Sequence, residues 1–135
     1  MKIAKNYFVI CENVLTDDKG RISLINIYDV IYSRGFPAVH SSGFKVAANF
    51  DVVGVDKKLE QPVKFSLSDP DGQTVVESAA HISLPASKKQ KRGILLGGSP
   101  IALTKAGTYV ARLELVGVEA FEQELFVKQI EKGEE

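Results

Sequence analysis

Turn signals punctuate this chain at intervals too short for helices: "TDDKG" at 16–20, "SRGFP" at 33–37, "VGVDKK" at 53–58, "DPDG" at 69–72 and "KAG" at 105–107. Such spacing leaves room for strands of five to ten residues or so and little else. Strand-like runs fill the intervals, at about residues 4–13, 21–32, 43–52, 62–68, 73–84, 93–103 with an interruption, 107–116 and 120–130. The pattern predicts an all-β chain.

Side-chain alternation supports that reading. Phe44, Val46, Ala48 and Phe50 fall on one side of the third run, with Lys45, Asn49 and Asp51 opposite. Tyr109, Ala111, Leu113 and Leu115 alternate in the same way with Thr108, Arg112 and Glu114. A period of two puts every second residue on one face of a sheet, so each run buries one face. In "RISLINIYDVIY" the apolar phase flips between Leu24 and Ile25, which predicts a bulge near Ile25 and Asn26 or burial on both faces. "AFEQELFVKQI" contains good helix formers, but the short connector "VGVEA" after a strong strand favours a hairpin. Many short antiparallel strands joined by tight turns specify packed sheets, so the expected fold is a two-sheet antiparallel β-sandwich, immunoglobulin-like or C2-like, of about seven to nine strands. Phe44, Val46, Phe50, Phe65, Leu67, Ile82, Tyr109, Leu113 and Leu115 are the expected core.

"LSDPDGQTVV", Leu67 to Val76, has the densest set of potential ligands. An EF-hand-type loop needs oxygen ligands at its first, third and fifth positions and a glutamate at its twelfth. With Gly72 aligned to the loop glycine, Leu67 and Ser78 occupy the two ends, so the strongest ligands are missing. A type I turn fits instead, with Asp69 first, Pro70 second and Gly72 in the left-handed conformation that opens a bulge. Asp17, Asp18, Asp51, Asp56, Asp69 and Asp71 could be imagined as a C2-type calcium site, but successive hairpin turns alternate ends and cannot all converge. No metal and no cofactor is expected.

With 135 residues the chain has the length of one domain, expected over 1–130 and followed by a flexible acidic tail at 131–135. Lysine plus arginine equals aspartate plus glutamate at 17 each, so no global field selects nucleic acid or an acidic membrane. The single cysteine, Cys11, sits in the apolar run "YFVIC" and reads as a buried structural thiol in a reducing compartment. No stretch approaches the roughly 20 apolar residues of a membrane-spanning helix. A cytoplasmic location is expected.

"FVICENVLTDDKGRISLINIYDVI" at 8–31, with "FPA" at 36–38 and "SDPDG", resembles a family of small uncharacterised bacterial proteins. In that pattern a cysteine and an acidic residue precede a glycine-ended turn, a "kLSLIGIfD"-like strand and a phenylalanine–proline pair. Cys11, Glu12, Gly20, Leu24, Ile25, Asp29, Phe36 and Pro37 take those places, with Asn26 where the pattern has glycine. The resemblance implies a cytosolic β-sandwich and no reaction, ligand or partner. "LTKAGTYVARLEL" is similar to the corner entry of a late strand in immunoglobulin-like domains, where a tyrosine hydroxyl bonds back to the corner. Tyr109 would fill that role, although the cysteine pair and core tryptophan of antibody domains are absent.

Chemistry is sparse. His40, in the loop "AVHSSG", and His81 are the only histidines, and adjacency of His40 to Ser41 or Ser42 is not triad geometry. No catalytic residue is expected, and a hydrolase is the third-ranked reading. The second is an adaptor for nucleic acid or an anionic surface through the basic loop "SKKQKRG" at 87–93, with Lys88, Lys89, Lys91 and Arg92 as its contacts. No aromatic residue is interleaved there, so nucleic acid is not the expected partner. The first reading is a non-catalytic binding or assembly module. "GILLGGSPIAL" at 93–103 joins consecutive apolar residues to glycines and a proline, the marks of a sheet edge or a crossing between sheets. Ile94, Leu95, Leu96 and Ile101 are the candidate edge for a protein partner or self-association.

Overall fold

The structure is a computed structural model that describes residues 1–40, 44–97 and 100–130. Among these residues lie eleven strands and no helix. They are β1 (Lys2–Thr16), β2 (Ile22–Ile27), β3 (Val30–Ser33), β4 (Ala38–His40), β5 (Lys45–Val55), β6 (Leu59–Ser68), β7 (Thr74–Leu84), β8 (Ser87–Gly97), β9 (Ile101–Leu103), β10 (Gly107–Leu115) and β11 (Glu119–Gln129). One sheet has the order β2-β1-β5-β8, a second the order β3-β11-β10-β6-β7, and β4 with β9 forms a separate two-stranded ladder. All pairings are antiparallel except β3 with β11.

The sheets pack through their apolar faces, as the alternation requires. Val46, Phe50 and Val52 of β5 meet Phe65 and Leu67 of β6 and Tyr109, Leu113 and Leu115 of β10, all fully buried. Phe8 from β1 lays its ring edge-on to Phe65 at 6.4 Å between centroids. Each of these large side chains contributes about 1.5–3 kcal/mol through burial. Every expected core residue is buried except Ile82, which is half-buried and packs against the core.

The strand count exceeds the expected seven to nine because two runs divide and one short strand forms in an expected loop. The 21–32 run supplies β2 to one sheet and β3 to the other. Asn26 has φ 52°, the only positive φ outside glycine among the described residues. The chain then crosses between the sheets: Tyr28 donates its N–H to Ile10 O at 2.7 Å, and Asp29 O accepts from Phe126 N at 2.9 Å. The register of β1 with β2 runs unbroken through Leu24 and Ile25, so the expected bulge does not form; both residues are half-buried, one on each face, and the change of sheet comes after Ile27. Asn26 also stands where the resembling pattern has glycine, which adopts this backbone conformation at no steric cost. The 93–103 run divides into β8 and β9, and β8 reaches back to Ser87. The Phe36–Pro37 bond is cis.

The "DPDG" turn forms as the sequence reading requires. Gly72 donates its N–H to Asp69 O at 2.9 Å, has φ +82°, and is followed by a register shift in the β6–β7 ladder. Gly107 is needed for packing: a Cβ there would lie 2.7 Å from Pro70 Cγ, so the turn and the start of β10 touch. The 120–130 run is strand from Glu119 to Gln129, with every residue from Glu119 to Val127 in register against β10.

Candidate functional site

The site follows from how β8 is hung on the sandwich. β7 ends in buried Leu84, Pro85 and Ala86 turn the corner, and β8 starts in the other sheet. The corner is tied by Gln90 Nε2, which donates to Pro85 O at 2.9 Å. β8 then pairs with β5 from Ser87 opposite Val55 to Gly97 opposite Lys45. Among the described residues no strand pairs with its other side. An eleven-residue edge strand results, whose outward backbone groups meet no second strand among the described residues.

This corrects the expectation of a basic loop at 87–93, because those residues are strand. The lysines are divided by the pleat. Lys89 and Lys91, opposite Val53 and Asp51, share the outer face of the sheet, while Lys88 and Arg92 belong to the other phase. Lys91 Nζ donates to Asp51 Oδ1 at 2.8 Å. That bond, and then the one from Asn6 Nδ2 at 3.2 Å, hold the Asp51 carboxyl below the usual carboxylate range. Arg92 Nε donates to Gln90 Oε1 at 2.8 Å. Lys88 and Lys89 are exposed and make no ion pair among the described residues.

The C-terminal half of β8 is apolar, with a cavity on each side. Toward the core, a slot of about 50 Å³ opens between the edges of β7 and β8, lined by Phe44, Val46, Phe65, Val76, Glu77, Ser78 and Leu96. On the outer face a groove of about 190 Å³ is lined by Tyr7, Val14, Ile22, Ala47, Gly93 and Leu95. Its far wall is the arm formed by the end of β1 and the start of β2. Leu95 is 56% exposed and Ile22 50% exposed. A strand laid along β8 would point alternate side chains at the slot and at the groove.

Of the four candidate edge residues, Leu95 and Leu96 stand at this edge. Ile94 points inward and is 5% exposed, and Ile101 is fully buried on β9, away from the edge. Val76, Tyr7, Val14 and Ile22 complete the two cavities and were not legible beforehand. The only hint was the exposed apolar content of "VLTDDKGRISL", which a hairpin of ordinary length does not require.

The remaining candidates lie elsewhere. His40 ends β4, not a loop; its Nε2 is buried without a hydrogen-bond partner among the described residues, and its ring meets Tyr28 edge-on at 5.2 Å. Ser41 and Ser42 lie outside the described residues, as do Gly98 and the tail at 131–135. His81 is exposed on β7. Several turn aspartates spend their oxygens on the protein. Asp69 Oδ1 accepts from Asp71 N and Gln73 N, both at 2.9 Å, and Oδ2 accepts from the Thr104 hydroxyl at 2.9 Å. Asp17 Oδ1 likewise accepts from Lys19 N and Arg21 N, and Asp71 pairs with Lys105. Cys11 is fully buried and its Sγ donates to Lys45 O at 3.8 Å; burial pushes the thiol up, outweighing the lowering by the Asn13 backbone.

The profile of a family of unknown function, DUF6941, matches residues 6–128. No curated protein matches the sequence. Among solved structures, a β-glucosidase from Listeria innocua, crystallised with isofagomine, is similar over 90% of this chain at 9% identity and a TM-score of 0.48. A β-glucuronidase of glycoside hydrolase family 2 is similar over 63% at 12% identity and a TM-score of 0.41. This chain corresponds to 16% and 10% of those two chains.

Proposed function

This chain belongs to that family of unknown function, and we propose that it is a non-catalytic binding module that captures an extended protein segment along β8. One observation carries the reading: an edge strand that has no second partner among the described residues has a cavity with apolar residues in its walls against each of its faces. Strand addition gains main-chain hydrogen bonds from the edge and specificity from pockets for alternate side chains. β8 offers both. The edge of β7 is as long but is bordered outward by exposed Glu77, Ala79 and His81, and β9 packs near it. The splitting of the basic cluster by the pleat, with Lys91 already bound to Asp51, favours a protein segment over a phosphate backbone.

The buried, free Cys11 supports a cytoplasmic setting, where thiols stay reduced. The Tyr109 corner supports an immunoglobulin-like reading of the sandwich. The test is selection of extended peptides from a random library, followed by amide hydrogen exchange on the complexes. Binders should slow exchange within 87–97 and lose affinity on Leu95→Lys. Protection confined to any other strand would overturn the assignment.

A further inference from the structure

β8 is divided along its length as well as across its faces. Its first half, Lys88 to Arg92, carries four cationic side chains, and its second half, Ile94 to Gly97, is apolar and bears both cavities. Asp51 binds Lys91 and attracts Lys89 at longer range, so one carboxylate faces four cations, and Lys88, Lys89 and the outer nitrogens of Arg92 make no salt bridge among the described residues.

Resting on the reading of β8 as a strand-capture edge, we infer that its partner is a protein segment whose apolar half precedes an acidic half, added antiparallel. Each pairing of β8's own sheet is antiparallel, and antiparallel ladders are slightly more stable per residue. In that direction the partner's first residues meet Gly97 to Ile94, where alternate apolar side chains enter the slot beside Leu96 and the groove beside Leu95. Its later residues meet Arg92 to Lys88, where carboxylates find the unmatched charges.

The same lysines select against the commonest wrong partner. Edge lysines blunt indiscriminate strand pairing, because an incoming apolar strand must desolvate them or leave them crowded. Two copies of β8 paired with each other would bring eight cationic side chains into one ladder, twice the four of a single strand. An acidic segment turns that penalty into attraction. The cationic half therefore acts as a filter and the apolar half as the anchor.

Two 11-residue peptides of one composition test this, matched in length to β8. In one, valines fill the first half and glutamates the second, so that both faces of the added strand are apolar and then acidic; the other exchanges the halves. The first should bind about tenfold more tightly at low salt, a margin of the size that three exposed ion pairs supply. The preference should shrink to less than about threefold at roughly 0.5 M salt, and likewise in Lys88→Ser/Lys89→Ser. Equal binding of the two peptides, with protection on β8, would leave strand capture standing and overturn the acidic partner. Binding of neither would overturn strand capture itself. A second copy as the occupant would appear as dimers, abolished by Leu95→Lys, in sedimentation without peptide, and would also overturn the inference.

Discussion

The Tyr109 hydroxyl donates to Lys105 O at 2.8 Å and accepts from Lys105 N at 3.2 Å, so one buried side chain closes a loop four residues upstream. Thr104 N donates to the Tyr109 hydroxyl oxygen at 2.9 Å, and the Thr104 hydroxyl donates to Asp69 Oδ2. With Gly107 against Pro70, two turns distant in sequence become one polar knot at one end of the sandwich. Tyr109→Phe keeps the ring and strands the Thr104 and Lys105 amides in a partly buried place. We expect a loss of about 1–3 kcal/mol in denaturant unfolding. The combined Tyr109→Phe/Asp69→Ala variant should lose less than the sum of the single changes, because both act through Thr104.

Asp69 gives that knot a pH dependence. Burial raises its carboxyl, but the Gln73 amide, the Thr104 hydroxyl and the Asp71 amide outweigh this and hold it below the usual carboxylate range. A depressed folded value means that the contribution is complete above the unfolded value and is lost as pH falls through the folded one. Thermal stability should therefore decline below about pH 4. Asp17 and Asp51 are lowered too and share that decline. In Asp69→Asn the acid decline should be shallower than in the wild type, with lower stability near neutrality. An unchanged acid profile would remove Asp69 from the account.

The left-handed backbone at Asn26 predicts an inverted substitution pattern. Asn26→Gly should fall within about 0.5 kcal/mol of the wild type, trading the 2.9 Å bond to Glu12 Oε2 for freedom from steric cost. Asn26→Val, although β-branched residues suit strands, should lose about 1–2 kcal/mol. Chemical denaturation of the two variants decides between strand propensity and this backbone angle.

Adjacent residues on β8 should behave oppositely. Leu95 is more than half exposed, so Leu95→Lys should change unfolding free energy by no more than about 0.5 kcal/mol while removing peptide binding. Ile94→Lys places a charge in the core and should prevent folding. Tolerance of Ile94→Lys with unfolding by Leu95→Lys would mean that the pleat of β8 is reversed.

Gly107→Ala provides a purely steric check. The new Cβ would meet Pro70 at 2.7 Å, on a backbone with φ +138° that alanine rarely adopts. A loss of about 1–3 kcal/mol is expected, read as a fall in the denaturation midpoint.

What was legible in the chain alone was whatever repeats locally. Alternation at Phe44 to Phe50 and Tyr109 to Leu115 marks buried faces, because the pleat ties each residue's side to its neighbour's. "DPDG" marks its own turn, since proline and glycine set the backbone angles without help from distant residues. The candidate edge was half legible for the same reason: glycines and a proline show where a ladder must end. The alternation could not say which sheet a strand joins. The split of 21–32 between two sheets, the extension of β8 through "SKKQKRG", and the burial of Ile101 depend on pairings with β11, β5 and β4. Those partners lie far along the chain. A strand's hydrogen bonds are satisfied only by another strand, so neither its neighbours nor its unpaired side can be read from its own residues. The cavities beside Leu95 and Leu96 arise in the same way, from walls that Ile22, Tyr7 and Val76 bring in from three other strands.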